Sequence, residues 1–154
     1  MSYLVDGAIP LEQVLHLQAQ PKTQTGAVAF FLGVIRQDQQ GDKHTVSINY
    51  SAYKPMAEKI FADLSNRLLN QYGVQRVVLQ HTVGQVNVGD ISMLVWIESK
   101  HRKEAFAALS DAVEHIKAYA PVWKKEQYSD GSHEWVNCAH CHSAHHQQQH
   151  KHHD

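Results

Sequence analysis

Apolar residues change their spacing from one stretch of this chain to the next, and the spacing predicts the elements. Pro10 suits a first helical position, and in "PLEQVLHLQAQ" Leu11, Val14 and Leu15 share one side, predicting a short helix that stops before Pro21. "GAVAFFLGVIR" is nearly continuous in apolar residues and rich in β-formers, the pattern of a buried strand. "QDQQGDK" reads as a polar turn, and "HTVSINYSAY" as a second strand forming a hairpin with the first. From Lys54 to Tyr72, Met56, Ile60, Leu64 and Leu68 recur every four residues and Gly73 follows as a stop, which predicts an amphipathic helix. "VQRVVLQHTV" and "ISMLVWIES" read as strands separated by the loop "GQVNVGD". His101 to Ala120 reads as a helix with Phe106, Leu109, Val113 and Ile116 on one stripe, ended by Pro121, and "VWKKE" beyond it is extended. The order of elements predicts an α+β fold, with helices packed on one side of a mainly antiparallel sheet.

A chain of 154 residues, 43% hydrophobic, is the size of one domain with a buried core. Fourteen basic against fifteen acidic side chains leave a formal charge of −1, which removes the electrostatic case for nucleic-acid binding and makes any anion site local. The N-terminus has no basic region ahead of an apolar run, and "GAVAFFLGVI" is too short to span a bilayer, so a soluble, cytoplasmic protein without a membrane partner is expected. Both cysteines and eight of the thirteen histidines fall from His133 onward. This divides the chain into a domain over 1–136 and a His/Cys-rich tail over 137–154. The "CAHC" of Cys138 and Cys141, with His140, His142, His145 and His146, offers sulfur and imidazole ligands for zinc, nickel or copper. Equally, so polar a tail has the composition of a disordered extension.

Within the domain the candidate chemistry is cationic. Lys117 follows Ile116, about 100° from the apolar stripe, so its stem can lie along the core while its amine reaches a cleft. Lys124 lies beyond the Pro121 break, and in an extended segment it points opposite to Trp123; a Trp123 packed into the core would turn Lys124 away from it. Two neighbouring amines each disfavour protonation of the other, giving a usable nucleophile or proton carrier, whereas lysines at a helix end ordinarily meet solvent and the helix dipole. Arg36 ends a strand from which a guanidinium can reach a phosphate. In "SKHR", Ser99 can cap the next helix, and His101 and Arg102 can add to an anion site at its start. "HTVGQVNVGD" reads as structural: glycines for turns, Asp90 for a turn hydrogen bond, and His81 packed or hydrogen-bonded. The domain offers no Ser-His-Asp order, glycine-rich phosphate loop or metal-ligand pattern.

Taken together and in this order, "GAVAFFLGVIR", "YSAYKPMAEK", "HTVGQVNVGD", "SKHRKEAF" and "KAYAPVWKKE" resemble the large, catalytic subunit of molybdopterin synthase, from about Gly7 through Val136. The resemblance implies an α/β hammerhead-like fold and a sulfurtransferase of molybdenum cofactor biosynthesis. Sulfur from the Gly-Gly thiocarboxylate of a small ubiquitin-like subunit would pass to cyclic pyranopterin monophosphate, and two transfers would build the molybdopterin dithiolene, with no cofactor required. Lys117 would be the principal amine, able to form an adduct with the partner's tail, and Lys124 would orient the thiocarboxylate or move protons. Arg36, His101 and Arg102 would hold the pterin and its phosphate. Family members are homodimers within a heterotetramer, and "SKHR" would reach the site from the neighbouring large subunit. Thr82 departs from the family pattern, which commonly has an arginine there. Two other readings are a metal-binding or delivery protein that works through its tail, and a pterin-binding regulator without catalysis; retention of both lysines argues against the regulator.

Overall fold

The computed structural model describes residues 2–136. Its elements are β1 (Leu4–Asp6), α1 (Leu11–Ala19), β2 (Ala27–Val34), β3 (Gln39–Gln40), β4 (Lys43–Ala52), α2 (Lys54–Tyr72), β5 (Arg76–Asn87), β6 (Ile91–Ser99), α3 (Arg102–Tyr119), β7 (Val122–Tyr128) and β8 (His133–Val136). The strands join in the order β2-β6-β5-β4-β7-β8, with β1 against β5 and β3 against β4. Every pairing is antiparallel except β1 with β5. This is the expected α+β class.

Three expectations from the sequence change. The first long strand does not form a hairpin with the second. β2 runs beside β6, from Ala27↔Ser99 to Val34↔Ile91, and the hairpin around Gly41 is made by the two-residue β3 with β4. An apolar strand such as β2 gains most from the neighbour that is itself most buried, and β6 is buried from Ser92 through Ser99. Second, "GQVN" is strand and not loop, because β5 continues to Asn87 by changing neighbours. Its first half, Arg76–His81, pairs with β6, β1 lies along His81–Val83, and Gly84–Asn87 pair with β4. The switch falls at Gly84, whose φ of 85° is open to glycine and strained for other residues. The remaining turn is closed by Asp90, whose Oδ2 accepts the Asn87 N–H at 2.9 Å.

Third, the helices occupy both faces. Met93, Val95 and Ile97 of β6, with Leu79 of β5, pack against Ala57, Phe61, Leu64 and Leu68 of α2 and Ala105, Ala108, Ala112 and Ile116 of α3. The alternate residues Val78, Leu94 and Trp96 pack against Val14 and Leu17 of α1 on the other side. The apolar stripes are accordingly rotated from those expected. Alanines take the α3 contact, where a helix lies close to the sheet; Phe106 is 63% exposed, and Leu11, Leu15 and Met56 of the other helices are also exposed.

The two helices on the main face are tied by a charged clamp. Asp111 of α3 accepts both terminal nitrogens of Arg67 of α2, at 2.6 and 2.8 Å, and the Tyr72 hydroxyl at 2.6 Å. The guanidinium, ahead of the hydroxyl, holds the Asp111 pKa down to about 2 from 3.8. At the opposite edge of α3, Gly26 approaches the chain so closely that an added Cβ would overlap the Lys100 carbonyl.

Gly26→Ala should therefore destabilise the fold by about 1–3 kcal/mol, seen as a melting temperature lower by about 5 °C or more. Asp111→Asn should cost about 1–2 kcal/mol near pH 7. Because the folded-state pKa is depressed, the clamp acts in full above pH 4 and is lost as pH falls through 2. The difference in melting temperature between wild type and Asp111→Asn should close over that window.

Candidate active site

Lys117 sits in the last turn of α3, next to Ile116, which is anchored in the main core. Lys117 is exposed as a residue, yet its pKa is lowered. Burial of the amine is the largest cause, the charge of Lys124 the second, and Glu114 acts in the opposite sense. The α3 helix ends at Ala120 in an extended conformation (ψ 127°), and the chain enters β7 through Pro121. The proline that breaks the helix is thus what turns the second lysine back toward the first.

In β7, Val122, Lys124, Glu126 and Tyr128 share one face, and Val122 belongs to the main core. Trp123 is half-buried on the other face with Lys125. The conditional expectation is reversed: Val122 and not Trp123 faces the core, so Lys124 lies on the core side. Its register partners are Tyr50 of β4 and Val136 of β8, and Tyr50 is also opposite Gly84 of β5. The Tyr50 ring meets His81 edge-on at 4.9 Å. His81 is 6% exposed, and the charges of Lys117 and Lys124 both bear on it. Glu126, two residues beyond Lys124, is buried and accepts a hydrogen bond from Thr45. Two lysines, a histidine, a tyrosine and a carboxylate from α3, β7, β5 and β4 therefore meet where β5 changes partner.

Arg36 reaches the rim of this cluster. Its Nε donates to Asp38 Oδ1 at 2.6 Å and its terminal nitrogen to Oδ2 at 3.3 Å, with the guanidinium side chain 83% exposed. Glu126 acts electrostatically on Arg36, and Lys124 on Asp38, so the pair lies within electrostatic range of β7. His101 and Arg102 are not brought to the same place. They begin α3 while Lys117 ends it, and fifteen residues of helix separate Arg102 from Lys117 by about 22 Å. Ser99 does not cap the helix: it is buried as the last residue of β6, its carbonyl accepts the Gly26 N–H, and His101 occupies the cap position without a side-chain bond. Cys138, His140, Cys141 and His142 lie outside the described residues. Among the described residues no group of three or more metal-ligating side chains converges.

Sequence reasoning did not single out Tyr50, Asp38 or Glu126. Strand alternation from Lys124 would have found Glu126; Tyr50 is recognisable only through cross-strand register. His81 is packed and hydrogen-bonded as expected, and Thr82 is fully buried with its hydroxyl lacking a partner.

The family described as MoaE protein matches residues 4–119. The molybdopterin synthase catalytic subunit of Nostoc sp. is 43% identical over 117 residues, covering 75% of this chain and 70% of the relative. The subunit of the same name from Staphylococcus carnosus is 35% identical over 82% of this chain and 83% of its own length. Among solved structures, molybdopterin synthase from Staphylococcus aureus superposes with a TM-score of 0.78 at 32% identity, covering 88% of this chain and 96% of that one. The fold agrees with these relatives, and the chain belongs to the MoaE family of molybdopterin synthase catalytic subunits.

Proposed function

We propose that this chain is the catalytic subunit of a molybdopterin synthase, moving sulfur from the C-terminal thiocarboxylate of a small ubiquitin-like subunit to cyclic pyranopterin monophosphate. The observation that carries the assignment of roles is the pair of lysines, each within electrostatic reach of the other and of one buried histidine. A lysine whose pKa is lowered by burial and by a second cation carries a larger fraction of free amine near neutral pH than an ordinary lysine. Lys117 is that amine, placed to carry protons at the partner's tail or, once its sulfur is bonded to the pterin, to attack the acyl carbon, forming an amide as the C–S bond breaks and the sulfur stays on the pterin. Lys124 supplies positive charge where anionic sulfur and oxygen develop. Arg36, released from Asp38, suits a phosphate, since a guanidinium binds such an oxyanion through paired N–H donors.

The separation of Arg102 from Lys117 supports a site completed across a dimer. His101 and Arg102 of one large subunit would reach the lysines of the other, and the small subunits would occupy the outer ends of the resulting heterotetramer. A solved complex of subunits 1 and 2 of a molybdopterin-converting factor from Helicobacter pylori has the same fold, with a TM-score of 0.72 at 21% identity. Among the described residues no helix is long and apolar enough to cross a membrane.

Incubation with a thiocarboxylated small subunit and cyclic pyranopterin monophosphate, read by the fluorescent oxidation product of molybdopterin, tests the reaction. Lys117→Ala should lower product formation by at least about 100-fold with partner binding retained, and turnover at the wild-type rate would refute the role. The shared site has its own test. Lys117→Ala and Arg102→Ala homodimers should each be inactive, and subunit exchange between them should restore about one quarter of wild-type activity, because half of the dimers then carry one complete site of two. Failure to recover any activity after verified exchange would place both residues in one protomer's site.

A further inference from the structure

Tyr50 is assigned no part in the reaction above, yet it stands where the two parts of the sheet join and directly beside one of the lysines. Its register partners are Gly84 of β5 on one side and Lys124 of β7 on the other. Gly84 brings no side chain to that rung, so the ring has room to lean away from β7. It does so: the ring meets His81 of β5 edge-on, with centroids 4.9 Å apart, and a hydrogen bond links its hydroxyl to that of Ser92 on β6. Ser92 is itself tied to the Gly33 carbonyl, to which its hydroxyl donates at 3.3 Å. The body of the ring packs against the main core and against the small cluster of Ile35, Ile48 and Val86. A half-buried aromatic side chain held at its base, its edge and its tip has little freedom to swing.

Lys124 therefore stands in a slot. Residues directly opposite in an antiparallel ladder project from the same face, with Cβ atoms about 4.5–5.5 Å apart. On that face Lys124 has Tyr50 on one side and Val136 of β8 on the other, with Val122 before it and Glu126 after it along β7. Lys124 is half-buried among these neighbours, and only Glu126 of the four is charged. The carbon stem of a lysine lies along such walls while its ammonium goes to the open end. The next residue shows the same packing on the outer face: Lys125 pairs with Trp135, and its Nζ lies 5.9 Å from that ring's centroid. A lysine on an open surface keeps its rotamers, and freedom of that size is costly to freeze at the moment of reaction.

We propose that Tyr50 is a positioning residue of the two-lysine site, its anchored ring forming with Val136 the walls that hold the Lys124 stem and aim its amine into the cleft. The walls rest on register and ring contacts alone, and their bearing on turnover rests on the proposed role of Lys124. With the ring removed from one side the stem can rotate, and the charge is spread over several positions instead of one.

Carbon NMR of the protein labelled at lysine Cε, with Lys124 assigned through Lys124→Arg, reads the order of that side chain without sulfur transfer. In the wild type the Lys124 order parameter should exceed that of the exposed Lys103, and in Tyr50→Leu it should fall by about half. In the reconstituted reaction Tyr50→Leu should lower kcat about tenfold with an unchanged KM for the small subunit. Tyr50→Phe, which keeps the ring, should recover most of both the order and kcat. A folded Tyr50→Leu in which Lys124 stays ordered would return Tyr50 to a packing role, whatever its kcat. A wild-type Lys124 as mobile as Lys103 overturns the proposal with no appeal to any variant's folding. Loosening of Lys124 in Tyr50→Leu, in a protein that makes no molybdopterin, would keep the positioning and remove the sulfur-transfer reading.

Discussion

The constraint on which this structure turns is that one strand, β5, must satisfy three neighbours. Its backbone is committed to β6 over Arg76–His81, to β1 over His81–Val83 and to β4 over Gly84–Asn87. A strand cannot keep one straight register through such a change, and the left-handed φ at Gly84 is where the change is accommodated. Both parts of the sheet hang on this point. The β2-β6 part carries the main helices on one face and α1 on the other, and the β4-β7-β8 part carries Lys124.

The candidate cluster is a consequence of that junction. His81 precedes Gly84 by three residues, Tyr50 pairs across from Gly84, and Lys124 pairs with Tyr50 on the far side. The α3 helix, packed on β2 and β6, brings Lys117 to the same place from another layer. Two ammonium groups near a buried ring are unfavourable, and the surroundings offset the cost only in part. Glu114 favours the charged form of Lys117, and Asp38 interacts with Lys124, whereas Glu126 is turned to Thr45 and stands near Arg36. What remains uncompensated appears as a lowered Lys117 pKa.

The same geometry bears on the proposed site shared between two chains. Arg102 and Lys117 stand at opposite ends of one rigid helix, so no side-chain rearrangement joins them. A second subunit is the economical way to bring a helix start to a helix end. The charged clamp of Arg67, Asp111 and Tyr72 keeps α3 seated on α2 between those ends.

Local pattern by itself determined the helix over Lys54–Tyr72 and its Gly73 stop, the strand nature of most apolar runs, the break at Pro121 and the presence of two lysines flanking it. These features depend on the period of apolar residues and on the backbone limits of glycine and proline, which neighbouring residues alone decide. Local pattern misplaced the β2 pairing, cut β5 short, rotated the helix stripes and put the helices on one face. Each of those depends on which surface lies opposite, a matter of contacts between residues far apart in the chain. Phe106 shows the difference: its spacing fits an apolar stripe, but α3 lies so close to the sheet that alanines fill the contact and the ring is left outside. The candidate lysines were legible because their chemistry is carried by residue type. Tyr50 and His81 joined them only through register and layer packing, since a sequence records which residues are present and the tertiary fold decides which of them share a dielectric, a charge and a hydrogen bond.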